Sequence, residues 1–590
     1  MFSSHSLFRV FALLALPAVM LMVGSSLNAQ AEPTADEAVS LAQIPPKWKV
    51  TGLPSADCGG HLNCHRSSPA IADMNNDGVA DIVLATNNGH IMAFRSQGSQ
   101  GVKLWDRDIS PYFGMAASSE EIISSPAVAD IDRDGRPEVV IGVGTANSNK
   151  CTQGGVIVLE HDGSVKPGWP FRTRDTGVPP VGCTDTVFST PALGDLDNNG
   201  DLEIVFGSFD KGLYVLHHTG QTDPCFPINS ALSLRFDWDI LKAHLADTIW
   251  SSAALADVTG NGRLDILMGS DEGNFDSRFP NNSSNWSCPY QSPFTQGYCG
   301  GSLYGITGNA QLIPGFPKYI LETIQSTPAV ADVNSDGKPE IFTGTGRFYN
   351  TFSPDHPTNG FRVFGWNSQG QDLPGWSGGK VVGGTVPASP VIGDIAGDSK
   401  PEIIVGAYDG KLYAWHSNGS AVAGFPMTPR TQTGDSTKPD VGMSYALGDY
   451  DGDNKMEIFF NQGGAVTIVD GNGQQLTSSN FPGDGKPLYY AEGLLLNNPA
   501  IGDVDGDGQL ELVVHNSGLY VWDLPNGARN ATWPMFKHDP ARTSNYNLPV
   551  QQQLVDLQSF LAAPNAGNQA YLPIVRKADG STQFVSLCRG

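Results

Sequence analysis

Basic residues are scarce in this sequence. Across 590 residues, 35 lysines and arginines stand against 60 aspartates and glutamates, which gives a formal net charge of −25. Proteins that bind nucleic acids recruit lysine and arginine to the phosphate backbone, so this balance argues against a nucleic acid partner. Charged residues of both signs make up only 16% of the chain, whereas glycine (69) and proline (41) are frequent. This composition favours many short strands joined by tight turns over long helices.

Long apolar runs are also missing, except for VFALLALPAVMLMV at residues 10–23. This run is short for a membrane span, and it precedes Ala29-Gln30-Ala31, a small-x-small pattern typical of a cleavage site. We therefore predict a signal peptide over residues 1–31, a linker over 32–45 and no membrane span after cleavage. The predicted location is secreted or cell surface, and an uncleaved membrane anchor is the alternative.

Cysteine is sparse, with eight residues in the chain. All eight follow the predicted cleavage site, and an even number of cysteines in an exported protein favours disulfides. The connectivity does not follow from the sequence. The candidate pairs are Cys58–Cys64, Cys288–Cys299 and Cys151–Cys183.

Motifs for two common kinds of catalysis are absent. The chain has neither an H-E-x-x-H zinc motif nor a phosphate-binding G-x-x-x-x-G-K-[ST] loop. We predict no catalytic residue and no organic cofactor site. An activity is left open, with a non-catalytic protein favoured.

One sequence pattern recurs eight times. SSPAVADIDRDGRPEVVIG, which begins at Ser124, has related copies along the chain. The eight copies begin at Ser67, Ser124, Ser189, Ser251, Ser326, Ala388, Met443 and Asn497. Each holds two short apolar runs around an acidic turn, and a third run such as KGLYVLHHTG (Lys211–Gly220) follows.

A fourth element follows in register. Examples are PGWP at Pro167, NFPG at Asn480 and ATWP at Ala531, and KLWDRD (Lys103–Asp108) takes this place in the first copy. Short runs of β-branched and aromatic residues between turn residues indicate strands. Four strands per copy and eight copies predict an all-β fold, a β-propeller of eight four-stranded blades. Seven blades and an open solenoid are the alternatives.

The ends of the chain complete this domain assignment. The propeller is predicted over residues 46–547, with PKWKVTGLP (Pro46–Pro54) pairing with the last blade to close the ring. The tail, residues 548–590, leaves the pattern. A short helix is predicted at Gln551–Ala563 and a strand at Tyr571–Lys577.

The acidic turns have oxygen-bearing side chains at positions 1, 3, 5 and 9. A calcium ion takes six to eight oxygen ligands from carboxylates, amides and carbonyls, so each turn is a candidate calcium site. The predicted donors in copies one to four are Asp73, Asn75, Asp77, Asp81, Asp130, Asp132, Asp134, Glu138, Asp195, Asp197, Asn199, Glu203, Asp257, Asn261 and Asp265. In copies five, seven and eight they are Asp332, Asn334, Asp336, Glu340, Asp449, Asp451, Asp453, Glu457, Asp503, Asp505, Asp507 and Glu511.

The copies differ in how well they fit this pattern. Copies two, seven and eight have four carboxylates each, and copy four keeps only two. Copy six has Ala396 at position 3 and Ser399 in place of the glycine, so it departs most from the pattern of a calcium site. The simpler alternative is a set of solvated turns that favour Asp, Asn and Gly. That alternative does not account for the recurring carboxylate at position 9.

The pattern D-x-[DN]-x-[DN]-G-x-x-[DE] between two strands resembles the FG-GAP/VCBS repeat family, of a secreted bacterial type, and the propeller of integrin alpha subunits. The resemblance covers Ser67 to about Asn545. It implies several structural Ca²⁺ ions, an extracellular location, and adhesion or carbohydrate binding.

The face opposite the acidic turns is predicted to hold the long insertions, where binding is expected. Candidate contact residues there are Trp238, Trp286, Tyr290, Tyr298, Phe348, Tyr349, Arg347 and His356. The favoured function is an extracellular binding or adhesion module for a glycan or protein ligand. The alternative is a polysaccharide lyase or another carbohydrate-active enzyme that uses His356, His244, Arg235 or Arg347.

Overall fold

The computed structural model describes residues 43–54, 66–118, 120–144, 154–173, 186–209, 212–220, 251–270, 301–320, 322–346, 360–430, 444–478, 486–525 and 527–546, with two short strands at 574–576 and 582–584. In this part of the chain the only helix is a single 3₁₀ turn at Ser110–Phe113. None of the described helices is long and apolar enough to cross a membrane.

Eight antiparallel sheets follow one another along the chain, one for each sequence copy. Strand β1 (Trp48–Thr51) precedes them. The strands of blades 1 and 2 are β2 (Ala70–Ala72), β3 (Asp81–Ala85), β4 (His90–Gln97), β5 (Gln100–Asp108), β6 (Ala127–Ala129), β7 (Glu138–Val143), β8 (Gly155–Leu159) and β9 (Phe171–Arg172). Blades 3 and 4 contain β10 (Ala192–Gly194), β11 (Glu203–Gly207), β12 (Leu213–Leu216), β13 (Ala254–Ala256), β14 (Asp265–Gly269), β15 (Ser302–Ile306) and β16 (Lys318–Tyr319).

The second half of the ring repeats this plan. Blades 5 and 6 contain β17 (Ala329–Ala331), β18 (Glu340–Gly344), β19 (Arg362–Trp366), β20 (Lys380–Val381), β21 (Val391–Gly393), β22 (Glu402–Ala407) and β23 (Lys411–Trp415). Blades 7 and 8 contain β24 (Ala446–Gly448), β25 (Glu457–Gln462), β26 (Ala465–Val469), β27 (Tyr489–Tyr490), β28 (Ala500–Gly502), β29 (Glu511–His515) and β30 (Gly518–Asp523). A separate hairpin pairs β31 (Ile574–Arg576) with β32 (Thr582–Phe584).

The blades form a closed ring. The first strands of neighbouring blades contact each other in cyclic order, and β28 of the last blade contacts β2 of the first. Strand β1 pairs antiparallel with β30, with Trp48 opposite Val521 and Thr51 opposite Gly518. The eight-bladed all-β propeller and its closure by the N-terminal strand are therefore confirmed, and the solenoid and the seven-bladed alternatives are wrong.

The fourth-strand prediction needs correction. The described P-G-W-P motif at Pro167–Pro170 forms the turn before β9, the fourth strand of its blade. The NFPG element lies outside the described residues. The fourth strand of blade 7 is β27, which follows the predicted NFPG element, and ATWP belongs to no blade. Among the described residues, blades 3 and 6 have three strands, and in blade 6 Met427 forms a single bridge with Leu412 in the fourth place.

The ATWP residues instead begin a segment at the centre of the ring, which we call the central segment (residues 530–546). The N–H groups of six first strands donate to its carbonyl oxygens at 2.8–3.0 Å. The donor and acceptor pairs are Val128–Pro540, Leu193–Ala541, Leu255–Thr543, Val330–Ser544, Leu447–Trp533 and Ile501–Pro534. The axis of the ring is therefore occupied by the protein's own chain.

The core lies between neighbouring blades. The second strands are buried along their whole length, because each is covered on both sides of its sheet. One large apolar cluster combines residues of blades 2, 3 and 4, and another combines blades 7 and 8. This packing explains why the second strands are continuous Val, Ile, Leu and Phe runs without alternation.

A belt of hydrogen bonds explains the S-S-P and S-T-P starts of the copies. The second residue of a copy donates its backbone N–H to the side-chain hydroxyl of the same residue in an adjacent blade, at 2.9–3.3 Å. The donor and acceptor pairs are Ser68–Ser125, Ser125–Thr190, Thr190–Ser252, Ser252–Thr327, Thr327–Ser389 and Asn498–Ser68.

Candidate metal centres

Each acidic turn joins the first and second strands of its blade, so all eight lie on one face of the disc. The carboxylate at position 9 is the first residue of the second strand and is almost completely buried. These residues are Asp81, Glu138, Glu203, Asp265, Glu340, Glu402, Glu457 and Glu511, each at most 2% exposed. Eight buried acids at equivalent places need compensation, because a lone buried charge is costly.

Backbone hydrogen bonds hold these carboxylates in place. The N–H of Ile131, at position 2, donates to Glu138 Oε2 at 3.0 Å, and equivalent bonds reach Glu203 at 2.7 Å and Glu511 at 2.8 Å. At position 1, Asp130 accepts from the N–H groups of Asp134 and Gly135 at 3.1 and 2.9 Å. The turn is therefore shaped by its own carboxylates.

Gly135 has a φ of 87°, in the left-handed region that a glycine adopts without strain. This conformation accounts for the glycine at position 6 of most copies. In copy six Ser399 takes this place with a φ of 64°, and its N–H still donates to Asp394 at 2.8 Å. Copy six therefore keeps the shape of the turn in spite of its two substitutions.

The predicted donors converge. In copies two and three the carboxylates at positions 1, 3 and 9 place oxygen atoms within 4.8 Å of one another, and in copy seven those at positions 1, 3 and 5 do so. Calcium–oxygen bonds of about 2.3–2.6 Å fit around one centre at this spacing. In copy four, Oδ1 of the buried Asp265 has no hydrogen-bond partner among the described residues. The residues present therefore fit a hard cation.

Burial raises the pKa values of seven of the eight carboxyls at position 9, because the charged form loses its solvation. The pKa is about 6 for Asp265, about 7 for Asp81, Glu340 and Glu402, and about 8 for Glu138, Glu457 and Glu511. Such carboxyls either hold a proton near neutral pH or attract a cation.

Some turns already contain a cation of the protein itself. In blade 2, Lys166 Nζ lies 2.7 Å from Asp132, 3.2 Å from Glu138 and 3.2 Å from Glu160. Burial alone lowers the pKa of Lys166, but the hydrogen bond to Asp132 and the charges of Glu138 and Glu160 raise it above the ordinary lysine value. The ammonium group therefore stays charged and stands where a metal ion would be expected.

In blades 8 and 1, basic side chains of the protein also contact the acidic turn. Lys47 Nζ contacts Asp505, lies 2.6 Å from Asp523 and is 3.8 Å from Glu511. In blade 1, Arg95 contacts Asp77 and lies 3.8 Å from Asp81.

Blade 7 differs from these three blades. Among its described residues the basic contact is between Lys455, with a 40% exposed side chain, and Asp453 at 3.3 Å. In the sequence, copies seven and eight each have four carboxylates, as copy two does. They differ in the structure, because Lys47 contacts Asp505 in the acidic turn of blade 8.

Several predicted sites lie outside the described residues. These are the signal peptide, all eight cysteines, the aromatic candidates at 238–356 and the four residues named for a lyase. On the face opposite the acidic turns, the described exposed side chains include Tyr112 (38%), Tyr408 (51%) and Leu494 (64%).

Residues 375–379 read GWSGG and match the G-x-S-x-G pattern of a hydrolase nucleophile. They form a turn between β19 and β20, whereas that motif requires a turn from a strand into a helix. The match is therefore not evidence of a catalytic serine.

Comparison with known proteins supports the repeat. Residues 73–141, 394–460 and 449–514 match the family described as FG-GAP-like repeat. No curated protein matches the chain.

Solved structures share the general arrangement at low identity. The biofilm matrix protein Bap1 of V. cholerae is 14% identical, with 85% of this chain and 96% of that chain covered and a TM-score of 0.46. The rhamnogalacturonan lyase PL11 of Bacillus licheniformis is 14% identical, with 87% and 97% covered and a TM-score of 0.33. A quinohemoprotein alcohol dehydrogenase from Pseudomonas putida is 12% identical, with 85% and 78% covered and a TM-score of 0.42. These sequence identities and TM-scores are too low to infer a shared function.

Proposed function

We propose that this chain, an eight-bladed propeller that carries FG-GAP-like repeats, is a secreted, calcium-stabilised module that binds a glycan or protein ligand outside the cell. The observation that supports the metal is the buried carboxylate at position 9 of every blade. Each of these carboxylates starts a second strand and faces the oxygen donors of its own turn.

Calcium fits these turns because the donors are oxygens of carboxylates and amides at the end of a rigid strand. In blade 3 the side chains that hold it are Asp195, Asp197, Asn199 and Glu203. A bound ion would add positive charge beside Glu203 and the other carboxylates of this turn. In blades 2 and 8 the ammonium groups of Lys166 and Lys47 supply that charge instead.

The ligand site is assigned to the opposite face. The turns between second and third strands and the links between blades lie there, and they vary in length, whereas the first strand of every blade has three residues. Loops on a rigid scaffold are suited to recognition, and exposed aromatic side chains stack on sugar rings or pack into protein pockets. Tyr112 and Tyr408 are described side chains of this kind.

The metal is tested by melting the full chain in calcium and in EDTA. A ligand at 100 times its dissociation constant stabilises the folded state by about 2.7 kcal/mol per site, so several sites produce a large shift in Tm. We expect a marked fall in Tm on chelation and recovery with Ca²⁺ but not with the same concentration of Na⁺. An unchanged Tm in EDTA would contradict the metal assignment.

Ligand binding is tested with a glycan array in Ca²⁺, next to a polygalacturonan cleavage assay. Tyr408→Ala, on the ligand face, is expected to weaken binding. Lys338→Ala, an exposed change on the acidic-turn face, is the matched control and is expected to leave binding intact. Formation of unsaturated sugar product would show a lyase instead of a binding module.

A further inference from the structure

Two adjacent histidines and an aspartate converge beside the acidic turn of blade 3. His217 Nε2 and His218 Nε2 lie 3.6 and 3.5 Å from the same oxygen, Oδ2 of Asp201. The two imidazole rings are 4.0 Å apart between their centres. The three side chains are partly exposed, with 18–29% of each accessible, so an ion from solution can reach them.

The local backbone explains why neighbouring histidines lie on the same side. Successive residues of a strand point to opposite faces, but β12 ends at Leu216 and His218 already lies in the following turn. Asp201 precedes β11, and β11 pairs with β12 so that Ile204 lies opposite Leu216. The pairing of the strands therefore brings Asp201 next to the histidine turn.

Contacts from blade 2 hold this turn in place. Trp169 Nε1 donates to the carbonyl oxygen of His218 at 2.9 Å. Gly168 packs so closely that a side chain there would meet the carbonyl oxygen of Thr219 at 2.5 Å. Nδ1 of His217 lies 3.2 Å from Thr219 Oγ1, a hydrogen bond that orients the ring and directs Nε2 to Asp201.

The distances suit metal ligands better than hydrogen-bond partners. Separations of 3.5 and 3.6 Å are long for a hydrogen bond. Two ligands of a tetrahedral Zn²⁺ with bonds of about 2.0–2.2 Å lie roughly 3.3–3.6 Å apart.

We propose that His217, His218 and Asp201 bind a divalent transition-metal ion of the Zn²⁺ class, with a fourth position left for water or a ligand oxygen. Imidazole ligands select such ions over calcium, which prefers oxygen. Asp201 is not one of the four side-chain donors of the acidic turn in blade 3, so both sites can be filled at once. The proposal does not depend on the proposed function of the propeller.

The test uses the full chain in excess Ca²⁺ with Co²⁺ as the probe, because four-coordinate Co²⁺ absorbs strongly in the visible range. We expect the band of a four-coordinate ion to saturate at one Co²⁺ per chain and to disappear when Zn²⁺ is added. Loss of a supporting partner alone costs roughly 10–100-fold in metal affinity, so His217→Ala with His218→Ala is expected to weaken binding by about 100-fold or more.

His161→Ala is the matched control, because His161 takes the equivalent turn position in blade 2 and hydrogen-bonds to Arg136. It is expected to leave the Co²⁺ band unchanged. Asp201→Asn, which keeps the shape of the side chain, is expected to weaken binding while Tm in Ca²⁺ stays the same. A weak band typical of six-coordinate Co²⁺, or an unchanged band in the double variant, overturns the proposal.

Discussion

Glu138 and Glu457 take the same place in their blades but have different neighbours. Glu138 lies 3.2 Å from the ammonium group of Lys166. In blade 7, Lys455 instead contacts the exposed Asp453. At the scale of single residues, this difference distinguishes turns in which a lysine contacts the buried carboxylate from turns in which a metal ion could take that place.

Replacing Lys166 with methionine is expected to create an additional calcium site. The change leaves Glu138 and Asp132 without their shared ammonium group, and removing one partner of a buried ion pair costs about 3–5 kcal/mol. We expect Lys166→Met to be less stable than the wild type in EDTA and to bind one more Ca²⁺ per chain by equilibrium dialysis.

Lys455→Met is the control for this experiment, because the Lys455 side chain is 40% exposed and its ammonium group pairs with the exposed Asp453. The number of bound calcium ions should not change in this variant. An equal calcium count in the wild type and Lys166→Met would show that the lysine does not replace a metal ion.

The buried acids also predict a pH dependence for the metal-free protein. Folding raises the pKa of Glu340 to about 7 and that of Glu457 to about 8, mainly through burial. The folded state then binds more protons than the unfolded state between about pH 4.5 and 8, so stability falls as pH rises through this window. In EDTA we expect Tm to be lower at pH 8.5 than at pH 5.5.

Glu340→Gln removes one of these titrating groups and should make the fall in Tm shallower. With saturating Ca²⁺ the trend should weaken or reverse, because the ion binds the deprotonated carboxylates. A Tm in EDTA that rises steadily from pH 5.5 to 8.5 would exclude buried, uncompensated acids.

Spacing within one turn could be predicted from the sequence, because positions 1, 3, 5 and 9 are close along the chain. The basic side chains that contact these turns could not be predicted from the sequence. Lys47 precedes β1, at the other end of the chain from Glu511, and only ring closure brings them together. His217 and Asp201 are similarly joined by strand pairing rather than by a motif.

At the scale of structural elements, the belt of hydrogen bonds between the starts of neighbouring copies links the blades. Thr190 accepts the N–H of Ser125 at 3.0 Å and is buried. Thr190→Val keeps the volume but leaves that N–H without its acceptor, which is expected to cost about 1–3 kcal/mol. Urea unfolding in Ca²⁺ measures the change.

The matched control is Thr186→Val. The Thr186 hydroxyl is also buried, but it has no hydrogen-bond partner among the described residues. Its replacement is expected to be neutral or stabilising. An equal loss of unfolding free energy in the two variants would show that the effect comes from packing and not from the belt of hydrogen bonds.

The strands show where pattern analysis succeeds and where it fails. Second and third strands are apolar runs of four to eight residues, and their place could be predicted from composition. Fourth strands of two residues, such as β9 and β27, have too few side chains to leave a pattern. ATWP resembles the turns before such strands, but β1 already occupies the outer edge of blade 8.

At the scale of the whole molecule, the central segment connects the blades through two fully buried basic side chains. The Arg542 guanidinium donates to the carbonyl oxygens of Pro126 at 2.8 Å, Phe536 at 2.5 Å and Pro69 at 3.0 Å. Lys537 has one such contact, with the Thr190 carbonyl oxygen at 3.3 Å. Burial lowers the pKa of Lys537 well below its ordinary value.

These two residues are expected to respond in opposite ways to the same substitution. Arg542→Met leaves several buried carbonyl groups without donors and is expected to destabilise the protein by about 3–5 kcal/mol. Lys537→Met removes a buried amino group whose charged form is disfavoured by burial, and it is expected to be neutral or stabilising. Urea unfolding of both variants in Ca²⁺ makes the comparison, and a larger loss in Lys537→Met would contradict it.

The two ends of the propeller also set the order of events during synthesis. Strand β1 is among the first described residues to be made, yet its partner β30 ends at Asp523 and the central segment continues to Tyr546. The ring therefore cannot close before the central segment has been synthesised. Contacts of such long sequence separation form slowly, so the first blades stay without their closing partners for most of synthesis.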